Sequence, residues 1–214
     1  MKKIISLLSV MTLLMVSLFA LTGCEGNGGD SGKDAKKANT IETSEVFGKG
    51  KITVLVPKKE DETPKYAFSK EKPEDCKFKG SFYLETEKAV LVFTTSGLAY
   101  NTSKDYKEKF GDVKATFDGY LQWMDDPSST IPKNNTEKLE INGRKAVKRE
   151  SKEGSSGNYK YYGFNYMIAV DDIYPGSYMG MGVYYKGNEE HKSADAIDSE
   201  TQAIIDSLVV TLNN

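Results

Sequence analysis

The side chains that most often perform nucleophilic or acid-base chemistry are scarce in this chain. His191 is the single histidine and lies in the polar stretch KGNEEHKSAD. A histidine-based triad or a multi-histidine zinc site therefore has almost nothing to build on, and we interpret His191 as a solvated loop residue. Cys76, in PEDCKFKG, has acids before it and lysines after it. Because a nucleophilic thiolate needs a nearby base, we expect Cys76 to be a bystander thiol.

Paired carboxylates are the remaining candidates for catalysis. Asp125 and Asp126 follow an amphipathic stretch, and Asp171 and Asp172 come directly before IYPGS. Two acids within reach of one another could hydrolyse a glycosidic bond or bind calcium. Neither pair lies in a recognisable ligand loop, so we expect both to cap or solvate turns. The sequence predicts no catalytic residue, no metal site and no cofactor, with a hydrolase of envelope or extracellular polymers as the alternative.

Tyrosine is concentrated late in the chain, where 8 of the 13 lie between Tyr159 and Tyr185. Two stretches with strand-like alternation place some of these tyrosines and several glycines on one face. The predicted face consists of Tyr161, Asn165, Tyr178 and Tyr184 around Gly163, Gly180 and Gly182. Flat rings with polar tips beside bare backbone suit sugars, peptides or protein partners. The alternative is that a helix covers this face and that the glycines let it pack closely.

The first residues have the pattern of an export signal. Two lysines follow Met1, and residues 4–21 form an apolar run broken only by serine and threonine. An uncleaved membrane anchor is the alternative, since the run is near the lower length limit for a span. The tetrapeptide Leu21-Thr22-Gly23-Cys24 closely resembles the lipobox of bacterial lipoproteins. That resemblance implies a lipid on Cys24, which becomes the first mature residue, and an extracytoplasmic position at the cell membrane.

Composition then divides the chain into three parts. We predict a lipoprotein signal peptide over residues 1–23, a lipidated cysteine with a flexible linker over 24–50, and one globular domain over 51–214. The linker is rich in glycine and charge and poor in large apolar residues, so it cannot bury enough surface to fold. With Cys24 lipidated, Cys76 has no cysteine left for an internal disulfide.

The charge balance argues against nucleic acid as a partner. Removing residues 1–23 takes away two lysines and no acid, which leaves 27 basic against 31 acidic residues, a net charge of −4 with His191 neutral. No basic stripe or aromatic-basic motif stands out, and neither common glycine-rich phosphate loop occurs. The partners expected are therefore the membrane, through the lipid on Cys24, and a protein, peptide or glycan ligand.

The periodicity of the globular part predicts strands joined mainly by hairpins. Strands are expected at 51–57, 78–85, 89–95, 160–170 and 177–185, with an Asn142-Gly143 hairpin between them and a closing strand at 208–212. Helical spacing predicts a mid-chain helix over 112–124 and a C-terminal helix over 194–207. These elements define an α+β domain, a mostly antiparallel sheet with both helices packed on it.

The order of these elements resembles a known class of secreted domain. A strand ending in proline, a mid-chain amphipathic helix, the hairpin INGRKAVKRE and the passage AIIDSLVVTL look like the PsbP-like, or Mog-like, α/β/α sandwich of many small bacterial lipoproteins. The resemblance implies a non-enzymatic accessory or binding domain. It carries no family site onto named residues.

Overall fold

The computed structural model describes residues 38–43, 49–74, 76, 78–151, 163–185 and 197–212. Ten strands form two sheets. They are β1 (Ala38–Glu42), β2 (Gly50–Pro57), β3 (Phe68–Ser69), β4 (Phe82–Glu85), β5 (Ala89–Gly97), β6 (Thr136–Ile141), β7 (Arg144–Ser151), β8 (Gly163–Ala169), β9 (Ser177–Tyr185) and β10 (Val209–Leu212). The helices are α1 (Lys104–Phe110), α2 (Phe117–Asp125) and α3 (Ser199–Asp206), with a 3₁₀ turn at Tyr100–Thr102 before α1.

The larger sheet is antiparallel throughout and has seven strands in the order β3-β4-β5-β9-β8-β7-β6. At the centre of this sheet, β5 pairs with β9 over nine residues, from Ala89 opposite Tyr185 to Gly97 opposite Ser177. Adjacent strands in sequence pair at both ends, as expected for hairpins. The β6–β7 turn is made by Asn142 and Gly143, both with positive φ, as a two-residue hairpin of this twist requires.

The smaller sheet joins distant parts of the chain in the order β1-β2-β10. β10 pairs with β2 through Val210 opposite Ile52, which ties the C-terminus to the first strand of the predicted domain. β1 falls inside the segment predicted to be a flexible linker, and it pairs with β2 from Ala38 to Glu42. The linker prediction is wrong for these five residues, because the β2 backbone offers them a complete antiparallel partner.

Two of the helices cover opposite faces of the large sheet. α3 contributes Ile204 and Ile205 to the main core, which lies between the two sheets. α2 packs Phe117, Tyr120 and Met124 against the other face. The α+β prediction with a mid-chain and a C-terminal helix is confirmed. One face carries a second sheet as well as a helix, which the predicted α/β/α layering did not include.

The mid-chain helix begins five residues later than its periodicity predicted. The C-cap of α1 is Gly111, which has φ +78. The backbone is then extended at Thr116, directly before α2 begins. Val113, expected on the apolar face of the helix, is 45% exposed. The unpredicted helix α1 packs Tyr106 edge-on against Trp123 of α2, with ring centroids 5.4 Å apart. In the part of the chain that the structure describes, no helix has the length and apolar character to span a bilayer.

Candidate ligand-binding cavity

Strict alternation in the central strands gives the large sheet one face turned to the core and another that is only partly covered. Met179, Met181 and Val183 of β9 enter the main core. Their neighbours Tyr178 and Tyr184 lie on the opposite face, which we call the second face. Successive strand residues point to opposite sides, so Asn165 and Met167 of β8 share this face. The second face therefore contains residues predicted as a binding surface from the sequence.

One end of the second face is covered by the loop before β4. Cys76 of this loop is 5% exposed and packs with Tyr83, Val90 and Val92. Phe78 stacks on Tyr184, with ring centroids 3.6 Å apart and planes 7° apart. The Tyr184 hydroxyl donates to Oδ1 of Asn165 at 3.0 Å, and burial raises the pKa of Tyr184 to about 12. These contacts hold the Tyr184 ring as a fixed wall.

The other end of the second face is covered by α2. Tyr120 and Met124 pack with Val147 of β7, and Met167 and Tyr178 lie partly buried against the same cluster. Two side chains hold the start of the helix by accepting hydrogen bonds from backbone N–H groups. Thr116 accepts from Gly119 at 3.0 Å, and Asp171 accepts from Phe117 at 2.8 Å. Such caps satisfy donors that have no partner within the helix.

Three glycines on the second face each make room for a different neighbour. A Cβ on Gly163 would lie 1.9 Å from the carbonyl oxygen of Val183, so backbone approach excludes a side chain there. A Cβ on Gly182 would lie 2.4 Å from the Tyr184 ring, and one on Gly180 would lie 2.5 Å from Thr94 Oγ1. Neither Gly180 nor Gly182 accommodates a helix, so the alternative proposed for them from the sequence is wrong. Gly182 instead lets the Tyr184 ring lie flat over the strand.

Between the loop and α2, the centre of the second face holds a cavity of about 360 Å³. Gly180 and Gly182 contribute to its floor, together with the Thr94 hydroxyl and the Tyr184 ring that lie beside them. Its apolar lining includes Phe78, Val92, Val147, Met167, Tyr178 and Tyr184. Ligand sites in proteins are typically concave, mostly apolar and about 300–1,000 Å³, so this cavity is at the small end of that range.

The polar lining of the cavity carries positive charge. It consists of Lys79, Thr94, Arg149 and Asn165. Arg149 donates through Nε to the Thr136 hydroxyl at 3.3 Å and through one Nη to the Pro132 carbonyl at 3.1 Å, both neutral acceptors. Among the described residues, no carboxylate lines the cavity and none pairs with Lys79 or Arg149. The cavity therefore offers two cations that the protein itself leaves unneutralised.

The structure brings together three of the four residues predicted for the binding face. Asn165, Tyr178 and Tyr184 line one cavity, whereas Tyr161 lies outside the described residues. The rings are partly buried rather than openly exposed, because Phe78 covers Tyr184 and α2 covers Tyr178. Sequence reasoning missed Thr94 and Arg149, although alternation along β5 and β7 places both on this face. It also missed Phe78 and Lys79, which come from a loop with no periodic pattern.

The Asp125–Asp126 pair lies at the end of α2, and each of its carboxylates forms an ion pair with a lysine. Lys138 contacts both carboxylate oxygens of Asp125, at 2.5 and 2.6 Å. The pKa of Asp126 is lowered to about 2, mainly by the hydrogen bond from the Lys109 ammonium and next by the hydrogen bonds from Ser128. Both groups are outside the cavity lining and are engaged in ion pairs.

The Asp171–Asp172 pair is also engaged in the fold. Asp171 caps α2, as described above. Asp172 forms a two-pronged ion pair with Arg144, at 2.7 and 2.9 Å, which lowers the pKa of its carboxyl. Arg144 also donates to the carbonyl oxygens of Ala169 and Val210, so this turn is tied to the smaller sheet. Within the described ranges, no three metal-ligating side chains cluster. Cys24 and His191 lie outside those ranges.

Comparison with known proteins gives one structural likeness. The chain is similar to the solution structure of cyanobacterial PsbP (CyanoP) from Synechocystis sp. PCC 6803, with 12% identity, a TM-score of 0.40 and coverage of 90% of this chain and 99% of that chain. No protein-family model matches the chain, and no curated protein matches it. The α+β class is established by the described strands and helices, and the PsbP-like assignment stays a prediction.

Proposed function

We propose that this chain is a membrane-anchored extracytoplasmic lipoprotein that acts as a binding module, with the central cavity of the second face as its ligand site. The observation that carries the proposal is the cavity itself, about 360 Å³, on the second face between the Phe78–Tyr184 stack and the side chains of Met167 and Tyr178. Its ligand is expected to be a small molecule or a short portion of a glycan or peptide, since a larger group exceeds that volume.

The support for binding comes from the preformed shape of the cavity. Its floor belongs to β5, β8 and β9, the central strands of a seven-stranded sheet. Its walls include the Phe78–Tyr184 stack at one side and Val147, Met167 and Tyr178 at the other, and α2 packs against these three side chains through Tyr120 and Met124. A ligand entering such a site immobilises few side chains, so little of its binding free energy is lost to ordering the protein.

The proposed anchor rests on the N-terminal sequence. The charged start, the apolar run to Leu21 and the lipobox-like Leu21-Thr22-Gly23-Cys24 together support export and lipidation. Each buried lipid CH₂ contributes about 0.8 kcal/mol, so the two or more chains on a lipoprotein cysteine give stable anchoring. The binding module would then work at the membrane surface, where local concentration favours capture of external ligands.

A ligand screen with a blocked cavity tests the binding proposal. Thermal unfolding of the full chain would be followed with sets of small aromatics, sugars and short peptides. The variant Met167→Trp fills the cavity from its floor, and Leu55→Trp is the control, since Leu55 is 45% exposed on the other sheet. We expect ligands that raise the Tm of the wild-type chain and the control but not of Met167→Trp. A screen in which every stabilising ligand acts equally on all three chains, or none stabilises, contradicts the proposal.

A further inference from the structure

We infer that the ligand of this cavity is an organic anion, a flat apolar body bearing a carboxylate group that pairs with Arg149. This inference rests on the proposed function, because it assigns a chemical class to the same site. It follows from three properties of the lining: its charge, the positioning of Arg149 and the shape of its apolar walls.

The first property is the unneutralised positive charge. Lys79 and Arg149 line the cavity without a carboxylate partner among the described residues, although the chain as a whole has a net charge of −2. Other basic side chains nearby are paired, as Lys109 is with Asp126 and Lys145 with Asp118. The positive charge is therefore a local property of the cavity. A partly buried guanidinium without a counter-ion gains when an anion enters beside it.

The second property is the positioning of Arg149. Its Nε and one Nη donate to the Thr136 hydroxyl and the Pro132 carbonyl, and the guanidinium also interacts with the Tyr120 hydroxyl, so neutral partners fix its plane without removing its charge. A fixed planar guanidinium suits a planar carboxylate, because parallel N–H groups can donate to both of its oxygens. Asn165 adds a donor, since its Oδ1 accepts from Tyr184 and its amide nitrogen has no partner among the described residues.

The third property is the apolar shape of the cavity. Tyr178 and Met167 lie towards α2, and the stacked Phe78 and Tyr184 lie opposite. Between them, the Thr94 hydroxyl lies beside Gly180 and the Tyr184 ring lies over Gly182. A flat ring system can contact the aromatic side chains on both sides. The cavity thus suits a planar apolar group with its acid end at Arg149.

A matched pair of probes tests this inference. The full chain would be titrated calorimetrically with 2-naphthoate and with 2-naphthalenemethanol, which share the ring system and differ in charge. We expect 2-naphthoate to bind at least about tenfold more tightly, the factor that corresponds to 1.4 kcal/mol. Arg149→Gln should remove this preference, whereas Arg149→Lys should keep part of it.

Substitutions of two exposed lysines distinguish the effect of a charge in the cavity lining on affinity from the effect of the protein's overall charge. Lys79→Gln should weaken 2-naphthoate binding by a smaller factor than Arg149→Gln, because Lys79 is exposed and screened by solvent. Lys88→Gln is the matched control, an exposed lysine of the β4–β5 turn outside the cavity, and should leave the affinity unchanged.

The outcomes distinguish this inference from the proposed function. Equal affinity for the two probes, with both lost in Met167→Trp, overturns the anion inference and leaves the binding site in place. Binding of 2-naphthoate that survives Met167→Trp lies elsewhere and overturns the inference, as does the absence of saturable binding of either probe. The proposed function is then judged by the wider ligand screen alone.

Discussion

Gly163 shows how closely the backbones of β8 and β9 approach each other beside the cavity. A Cβ at this position would lie 1.9 Å from the Val183 carbonyl oxygen, and a backbone atom cannot move aside as a side-chain end can. We expect Gly163→Ala to lower the free energy of unfolding by about 1–3 kcal/mol, the usual cost of overpacking. Urea denaturation followed by circular dichroism measures this loss.

Gly97→Ala is the control for that substitution. The nearest atom to a Cβ on Gly97 is the Gly176 carbonyl oxygen at 3.9 Å, an ordinary contact distance. Its unfolding midpoint should stay near that of the wild-type chain. Equal losses in the two variants would show that close backbone approach is not the reason for glycine at position 163.

A second prediction at the residue scale concerns the carboxyl of Asp126. The Lys109 ammonium and the hydrogen bonds from Ser128 hold the pKa of Asp126 at about 2. Because the folded-state pKa is depressed, the carboxylate stabilises the fold above its ordinary pKa, and this contribution disappears as the pH falls through about 2. We expect Lys109→Met to raise the pKa of Asp126 towards its ordinary range, measured by ¹³C NMR of the carboxyl carbon.

The matched control for Lys109 lies on the same helix. Lys107 pairs with Asp112 at 3.5 Å, whereas the lysine paired with Asp126 among the described residues is Lys109. Lys107→Met should therefore leave the titration of Asp126 unchanged. An Asp126 pKa that is the same in the wild-type chain and in Lys109→Met would refute the role given to this ion pair.

At the scale of elements, α2 depends on its capped start to pack against the second face beside the cavity. Thr116 and Asp171 each accept one backbone hydrogen bond in its first turn. We expect Thr116→Ala to lower the free energy of unfolding by about 1 kcal/mol, the typical loss for an N-cap, with a similar loss for Asp171→Ala. Thr130→Ala, in an exposed loop, is the control, and calorimetric Tm values measure the differences. Losses no larger than that control would count against the capping role.

The strands were more predictable than the helices because their signals are local. Alternation in β9 and the Asn142-Gly143 turn depend on neighbouring residues, and the structure has both in the predicted places. The start of α2 was misplaced because Val113 fits the helical period but precedes a segment with extended backbone at Thr116. The strand β1 was missed because Ala38–Glu42 gains its partner only from β2 in the folded chain.

The candidate site was predictable only where it lies on regular strands. The alternation of side chains along the strands, which is visible in the sequence, predicts Asn165, Tyr178 and Tyr184 on one face. Phe78 could not be found this way, since its stacking on Tyr184 depends on how a loop returns over the sheet. The positive charge of the cavity could not be predicted from the sequence either, because Lys79 and Arg149 are 70 residues apart and line the same cavity only in the folded chain.

At the scale of the whole molecule, the proposal of a binding domain on a lipid tether can be tested through Cys24. Expression of the full chain in a bacterial host fed with labelled palmitate should give a labelled protein in the membrane fraction. Cys24→Ser should lose the label and the membrane association, because no thiol remains at the lipobox-like site. Cys76→Ser, at the buried cysteine of the globular part, should keep both. Equal labelling of the two variants would contradict lipidation at Cys24.

Methyl NMR tests most directly whether the cavity on the second face binds a ligand, as proposed above. Methyl resonances of Val92, Val147 and Met167 report on the cavity, whereas those of Ile52 and Val54 report on the core beneath the smaller sheet. With 2-naphthoate or with a ligand from the screen, we expect saturable shifts of the cavity methyls and little change in the core methyls if the binding proposal is right. Saturable shifts confined to other parts of the chain, with the three cavity methyls unmoved, would contradict it.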